Sequence, residues 1–314
     1  ENEEEMQKRY SQSAQAVYQE IVWPSLTSIA SRTGAKMTCM MTPQFTYTDE
    51  EEPDGENVTY YLKRLKEEHA EAGLSADSME GIPLSEKIKQ DQTFWQTYAP
   101  SYRFLSLYAD GVKSIGEKSA LPAEIRTVAL GSGTSGQAVG YLNENVTLQP
   151  STSSGIRHTF LDDFKVKCME TALGYSNITL DFYSVTYPEG DEDSWEKMSK
   201  KIAANLGTYW KAYEAFDATT LTESDVRIRR FLALDYKQQR AGNVITLSLE
   251  HREDAAWFLL RLHGEKVTEV AGGIFEEIED GVYLILAEED EVSVEVQNGE
   301  TWQYQDGGKR GDGT

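Results

Sequence analysis

The sequence predicts an α/β layered or barrel architecture followed by a small all-β module, on three observations. Up to about residue 240, amphipathic helical stretches alternate with short apolar runs, the rhythm of sheets covered by helices. From Asn243 the texture changes to short strands separated by glycine and acidic turns. The 314 residues, 39% hydrophobic and 11% aromatic, suffice for a real core in one large domain or two ordinary ones. The expected division is 1–240 for the α/β part, 241–298 for a β-sandwich-like module and 299–314 for a disordered tail.

Residues 1–30 read as a polar helix that becomes amphipathic around Val17 and Ile21 and is interrupted at Trp23-Pro24. "KMTCMMTP" (36–43) is a compact strand ended by Pro43, and "TDEEEPDGE" a solvated loop. Val58, Tyr61, Leu62 and Leu65 fall at helical spacing. After a short "AEAGLS" comes a second amphipathic helix from Leu84 to Tyr98. "YRFLSLYA" (102–109) and "IRTVAL" (125–130) read as buried strands. A helix after His158 ends at Gly174, a good C-cap residue, and "NITLDFYSV" is the next strand. "DSWE" (193–196) has the capping-box spacing that opens a further helix. "NVITLSL", "AWFLLRLH", "GVYLILA" and "EVSVEVQ" are the strands of the β module.

Charge narrows the partners. Thirty basic against 53 acidic residues give a formal charge of -23, which phosphate backbones and anionic membrane surfaces repel. Nucleic acid is therefore excluded as a partner, whereas neutral ligands and amine-bearing sugars stay open. No apolar run reaches the length of a membrane span, so no direct membrane insertion is expected. Cys39 and Cys168 allow one disulfide at most, and only if the fold brings them together. The chain opens at "ENEEEM" without an initiating methionine, which reads as a mature product, an excised piece or a fragment.

Several motifs fail as chemistry. "GSGTSGQA" (131–138) lacks the Lys-Ser/Thr that a phosphate loop places after its last glycine, so nucleotide binding is rejected. "GDEDSWE" lacks the ligand spacing of a calcium loop. The aromatics Tyr183, Tyr187, Trp195, Tyr209, Trp210 and Tyr213 suit stacking on sugar rings, with core packing as the competing use. In "HTFLDD" (158–163), His158 and Asp162 would share a face if one helix ran through both, as metal ligands do. Alternatively Thr159 is an N-cap, Asp162 completes a capping-box-like pattern and Asp163 meets the helix dipole.

The order of segments resembles the polysaccharide deacetylase (NodB-like) family. "RTGAKMTCMMTP" (32–43) is similar to the family's "GVKATFFV" strand region, and "ALGYSNITLDFYSV" (172–185) to its "GYxxVxWDVDSxDW". The resemblance covers roughly residues 15–205 and implies a distorted (β/α) barrel, here with its first strand upstream of residue 1 or absent. A barrel followed by a β module is also similar to the arrangement in exopolysaccharide-modifying bacterial proteins. Family enzymes hold a divalent metal with an Asp-Asp motif and two histidines one helical turn apart. The corresponding "AGLSADSM" has no histidine, and His69 lies too early in its helix to substitute.

The resemblance thus implies a bacterial cell-envelope or secreted protein that binds or modifies a polysaccharide. Its barrel has lost the usual histidine pair. A catalytic version would rely on His158, Asp162 and Asp181, with a divalent metal such as zinc required only if it is active. Tyr183, Tyr187 and Trp195 are the expected sugar-contacting residues. The rivals are an active metal-dependent hydrolase with a non-standard site and a structural part of a larger envelope protein that meets other envelope proteins.

Overall fold

The structure, a computed structural model, describes residues 12, 14–43, 55–76, 82–111, 115, 121–131, 138–154, 160–172, 174–180, 195–212 and 217–298. The chain divides into two compact units, Glu1–Arg229 and Arg230–Thr314.

The first unit opens with helix α1 (Ala14–Val17), a π-helical turn (Tyr18–Val22) and helix α2 (Trp23–Thr33). Pro24 has no N–H for the carbonyl of residue 20, and its ring would press on that carbonyl. The interruption expected at Trp23-Pro24 takes the form of a widened turn just before the proline, which then starts α2. Gly34 (φ 75°) ends α2 and donates its N–H to Ala30 O at 2.8 Å.

The following elements are β1 (Thr38–Met41), α3 (Gly55–Glu67), β2 (Glu71–Ser75), α4 (Leu84–Tyr98), β3 (Ser106–Ala109), β4 (Thr127–Leu130), β5 (Gly140–Tyr141), β6 (Thr147–Pro150), β7 (Ser153–Ser154), α5 (Phe160–Thr171), β8 (Ile178–Thr179), α6 (Trp195–Ala212) and α7 (Leu221–Ala233). One sheet has the order β1-β2-β3-β4-β6-β5. Every pairing in it is parallel except that of the short edge strand β5. Beyond Pro150 the chain pairs again, β7 lying parallel to β8. The unit is therefore mixed α/β with parallel strands in chain order. Closure into the expected barrel is not found, because among the described residues no pairing joins β8 to β1.

Strand alternation gives this sheet two unlike faces. On one, Cys39, Met41, Leu74, Leu107, Val128 and Leu148 join Val58, Tyr61 and Leu65 of α3 and Ile88 and Trp95 of α4 in the main core. Each such side chain contributes about 1.5–3 kcal/mol on burial. The other face carries Thr38, Glu71, Gly73, Ser106, Tyr108, Thr127, Thr147 and Gln149. "AEAGLS", without a strand signature in sequence, is β2. A Cβ on Gly73 would come 2.6 Å from both Met40 Sδ and Ser106 Oγ, so only glycine fits between the neighbouring strands.

The second unit holds β9 (Asp235–Ala241), β10 (Val244–Glu250), β11 (Ala256–Arg261), β12 (Glu265–Ala271), β13 (Gly273–Glu279), β14 (Val282–Ala287) and β15 (Glu291–Asn298). They form antiparallel sheets of order β12-β15-β10-β9 and β11-β14-β13. Both sheets contribute to one apolar core, Ile245, Leu247, Val292 and Val294 from the first and Tyr283, Ile285 and Ala287 from the second. Strand β9 pairs with β10 along its whole length, so this antiparallel part begins before residue 241. The 299–314 tail lies outside the described residues. No helix among the described residues is long and apolar enough to cross a membrane.

Candidate functional site

The polar sheet face is closed at its amino end by the first turn of α7. A helix start leaves four N–H groups without intrahelical partners. Here Thr220 N–H donates to Glu223 Oε2 at 2.9 Å, and Glu223 N–H to Thr220 Oγ1 at 3.4 Å, a capping box. Leu221 N–H donates to Thr38 Oγ1 and Thr222 N–H to Glu71 Oε2, both at 2.9 Å. Glu71 also accepts from Ser106 Oγ at 2.6 Å. Burial works against ionisation of Glu223. Lys36, 2.6 Å away, and the Thr220 N–H outweigh it and hold the carboxyl below its usual range.

One turn further, Asp225 is wholly buried and accepts from Thr147 Oγ1 at 2.6 Å and from Arg229 Nε at 2.9 Å. Arg229 also donates to the carbonyls of Arg126 and Asn145 at 3.0 and 2.7 Å. Gln149 Nε2 donates to Thr127 Oγ1 at 2.7 Å and to Leu221 O at 2.9 Å. Apart from Gln149 Oε1, the charge, hydroxyl and amide groups named here are thus mutually satisfied.

The carboxyl end is different. Ser75, Tyr108, Ala129 and Gln149 form one register row across β2, β3, β4 and β6. Tyr108 Oη donates to Asp110 Oδ1 at 3.0 Å, and Asp110 is exposed just beyond β3. A Cβ on Gly131, at the end of β4, would come 2.7 Å from Tyr108 Oη, so glycine gives the phenol its place. Beneath β2, Lys87 and Asp91 of α4 form a buried ion pair at 2.7 Å, and Lys87 Nζ donates to Ser75 O at 3.1 Å. Gln149 Oε1 and Ser153 Oγ are buried without a hydrogen-bond partner. None of these residues carries a motif. Their only sequence signal is polarity at inward positions of a strand.

Most sequence candidates come later in the chain, after β7 and β8 of the separate two-stranded sheet. His158 follows β7, and Asp181 follows β8 after a single residue, with Tyr183 and Tyr187 next. These four lie outside the described residues. Asp162 is the third residue of α5, and its side chain is likewise outside them. The described part of α5 begins at Phe160, and both His158 and Thr159 lie outside the described residues, so the shared face of His158 and Asp162 and the Thr159 cap both fall outside them. Phe160 and Phe164 of α5 are strongly exposed.

Trp195 is a correction. Expected to contact sugar, it is 4% exposed and packs with Leu26, Ile29, Met198 and Ile202 where α2 meets α6, because the start of α6 turns its apolar stripe to α2. The side chains of Tyr209 and Trp210, and Tyr213, lie outside what is described. Cys39 is buried and Cys168 exposed, and no disulfide joins them. Burial pushes the Cys39 thiol up to about 12.

An open cleft of about 1080 Å³ lies at the opposite, amino end, lined by the last turns of α2, α3 and α4 with Lys36, Glu71, Tyr102 and Glu223. Its Lys36 and Lys63 are paired with Glu223 and Glu67. Its floor is the α7 network, so the cleft is weaker ground for a site than the carboxyl end. Among the described residues no group of three His, Cys, Asp or Glu could hold a metal ion. Comparison with protein-family models, curated proteins and solved structures gives no match. Fold and site together define a mixed α/β protein with a polar inner sheet face sealed at one end, joined to an antiparallel β unit.

Proposed function

We propose that the protein binds or modifies a polysaccharide at the carboxyl end of its parallel sheet, on a divergent deacetylase-like barrel acting outside the cell or in the bacterial cell envelope. The observation that carries this is the contrast along one sheet face. The amino end is sealed by α7, whereas the carboxyl end holds Tyr108, Asp110 and the Gln149 side-chain carbonyl, and in the chain His158, Asp181, Tyr183 and Tyr187 come later, after the strands of the two-stranded sheet. Parallel sheets bind ligands at that end, because the loops leaving the strands converge there. The net charge of -23 favours a neutral or amine-bearing glycan over a polyanion.

A deacetylase metal would need a ligand set that the described residues do not supply, so no step is derived through one. What this chain's own groups offer is binding and orientation. Asp110, oriented by the Tyr108 hydroxyl, is an exposed acidic acceptor just beyond β3, and Ser75 and Gln149 share the register row of Tyr108. A second reading, a structural part of an envelope assembly, rests on Trp257, Leu286 and Ile274. These form one cross-strand row on the face of the three-stranded sheet turned away from its core, with Trp257 and Ile274 exposed.

The test is titration of the full chain with soluble neutral, N-acetylated and amine-bearing oligosaccharides, with acetate release and metal content measured alongside. Saturable binding that weakens in His158→Ala or Asp110→Ala is expected. No binding to any of these glycans would overturn the reading.

A further inference from the structure

Gln149 sits at the level where the α7 seal stops. Both of its amide hydrogens are committed, one to Thr127 Oγ1 and one to Leu221 O. Turning the amide over would set oxygen against the Leu221 carbonyl oxygen, so these donors fix which way the side-chain carbonyl faces. That oxygen, on a wholly buried residue, has no partner. A buried acceptor left unpaired costs free energy that folding must carry, and such groups in native proteins ordinarily meet water or a ligand.

Its surroundings indicate which end the carbonyl serves. The layer below is filled by Thr127, Thr147 and Asp225, linked in series through Thr147. Within its own row, Tyr108 stands two strands away, about 10 Å by strand spacing, with the small Ala129 between them. Further along the same run of chain, Ser153 Oγ is buried and also unpartnered. Gln149 Oε1 and Ser153 Oγ are thus two buried polar groups, unpaired among the described residues and four residues apart in the chain.

We propose that Gln149 Oε1 and Ser153 Oγ are ligand contacts of the carboxyl-end site, Gln149 accepting a hydrogen bond from a hydroxyl or amide N–H of the bound molecule. The ligand class is a hydroxyl-rich, donor-bearing one. As the member of that class, a glycan rests on the reading proposed above.

Calorimetric titration of the full chain with N-acetylated chito-oligosaccharides and with cello-oligosaccharides tests it in four forms: wild type, Gln149→Met, Ser153→Ala and Thr127→Val. Gln149→Met is expected to weaken binding at least about tenfold, because the ligand donor loses its acceptor. Ser153→Ala removes no internal hydrogen bond, so it leaves folding intact and is expected to weaken binding several-fold. Thr127→Val removes one of the two amide partners, but the bond to Leu221 O still holds the carbonyl in its orientation, so binding is expected to stay within about twofold. Unchanged binding in both Gln149→Met and Ser153→Ala would mean that a buried water alone fills the site and would overturn the inference while leaving the glycan reading standing. Equal weakening by Gln149→Met and Thr127→Val would also overturn it, as a network effect. A wild type that binds none of these sugars removes the glycan reading, and this inference with it.

Discussion

Between the two sheets of the second unit, the inward residues of β10 and β15 are Ile245, Leu247, Leu249, Val292, Val294 and Val296, without a polar side chain among them. In the first unit, one face of the parallel sheet is equally apolar, while the other carries Glu71, Ser106, Thr127, Thr147 and Gln149. A sheet that exists only to pack would look like the former, since apolar burial stabilises without any demand for partners. The polar face needs an elaborate seal to be tolerated, and α7 supplies it over the amino-terminal layers only. The difference teaches where to look: an apolar core needs no partners, whereas a costly polar interior, left incomplete at one end, is where the site is proposed.

The largest expected effect breaks the seal. Asp225→Ala leaves Arg229 and Thr147 without their buried carboxylate and should cost about 3–5 kcal/mol in urea unfolding. A loss below about 1 kcal/mol, the size of a surface pair, would mean that α7 does not hold the polar face. Gly131→Ala forces Tyr108 Oη away from its 2.7 Å approach and should cost about 1–3 kcal/mol while weakening glycan binding. Unchanged stability and affinity would detach Tyr108 and Asp110 from the site.

Glu223 gives a smaller, pH-dependent effect. Its carboxyl titrates below the ordinary 4.5, so its contribution is complete above that pH and lost as pH falls through the lowered value. Glu223→Gln should therefore flatten the acid limb of a melting-temperature profile and leave the neutral limb parallel. The smallest effect concerns thiols. At pH 8 one cysteine, the exposed Cys168, should alkylate in the native chain, and Cys39 only after unfolding. Two reactive thiols in the native state would contradict the buried apolar face of β1.

Much of the scaffold was legible in the sequence. The helix from Leu84 to Tyr98 keeps its expected bounds because Ile88 and Trp95 repeat at helical spacing and Pro83 stands just before it. The four strands read in the β module are β10, β11, β14 and β15, whose apolar residues are their own signal. Strands β9, β12 and β13 escaped notice because edge strands such as "DYKQQRA" are exposed along their length and have no apolar alternation. Strand β2 escaped because Gly73 answers to its neighbours rather than to strand propensity. The start of α7 is written in the sequence as Thr220-x-x-Glu223, the capping box that closes the amino end of the polar sheet face.

The site was legible only in part. His158 and Asp181 stand out by residue type, whereas Gln149, Ser153 and Asp110 matter through placement, which composition does not reveal. Trp195 shows the converse, an aromatic whose type suggested sugar and whose position made it core.

Hydrogen–deuterium exchange of the full chain, with and without saturating N-acetylated chito-oligosaccharide, tests the central claim most directly. Protection is expected in peptides covering 106–111 and 147–154, which hold Tyr108, Asp110, Gln149 and Ser153, and in the 155–164 and 178–187 peptides that carry His158 and Asp181, with the α7 peptide unchanged. Protection confined to 256–287 in the β unit, or to the amino-end cleft around 63–71, would contradict the claim.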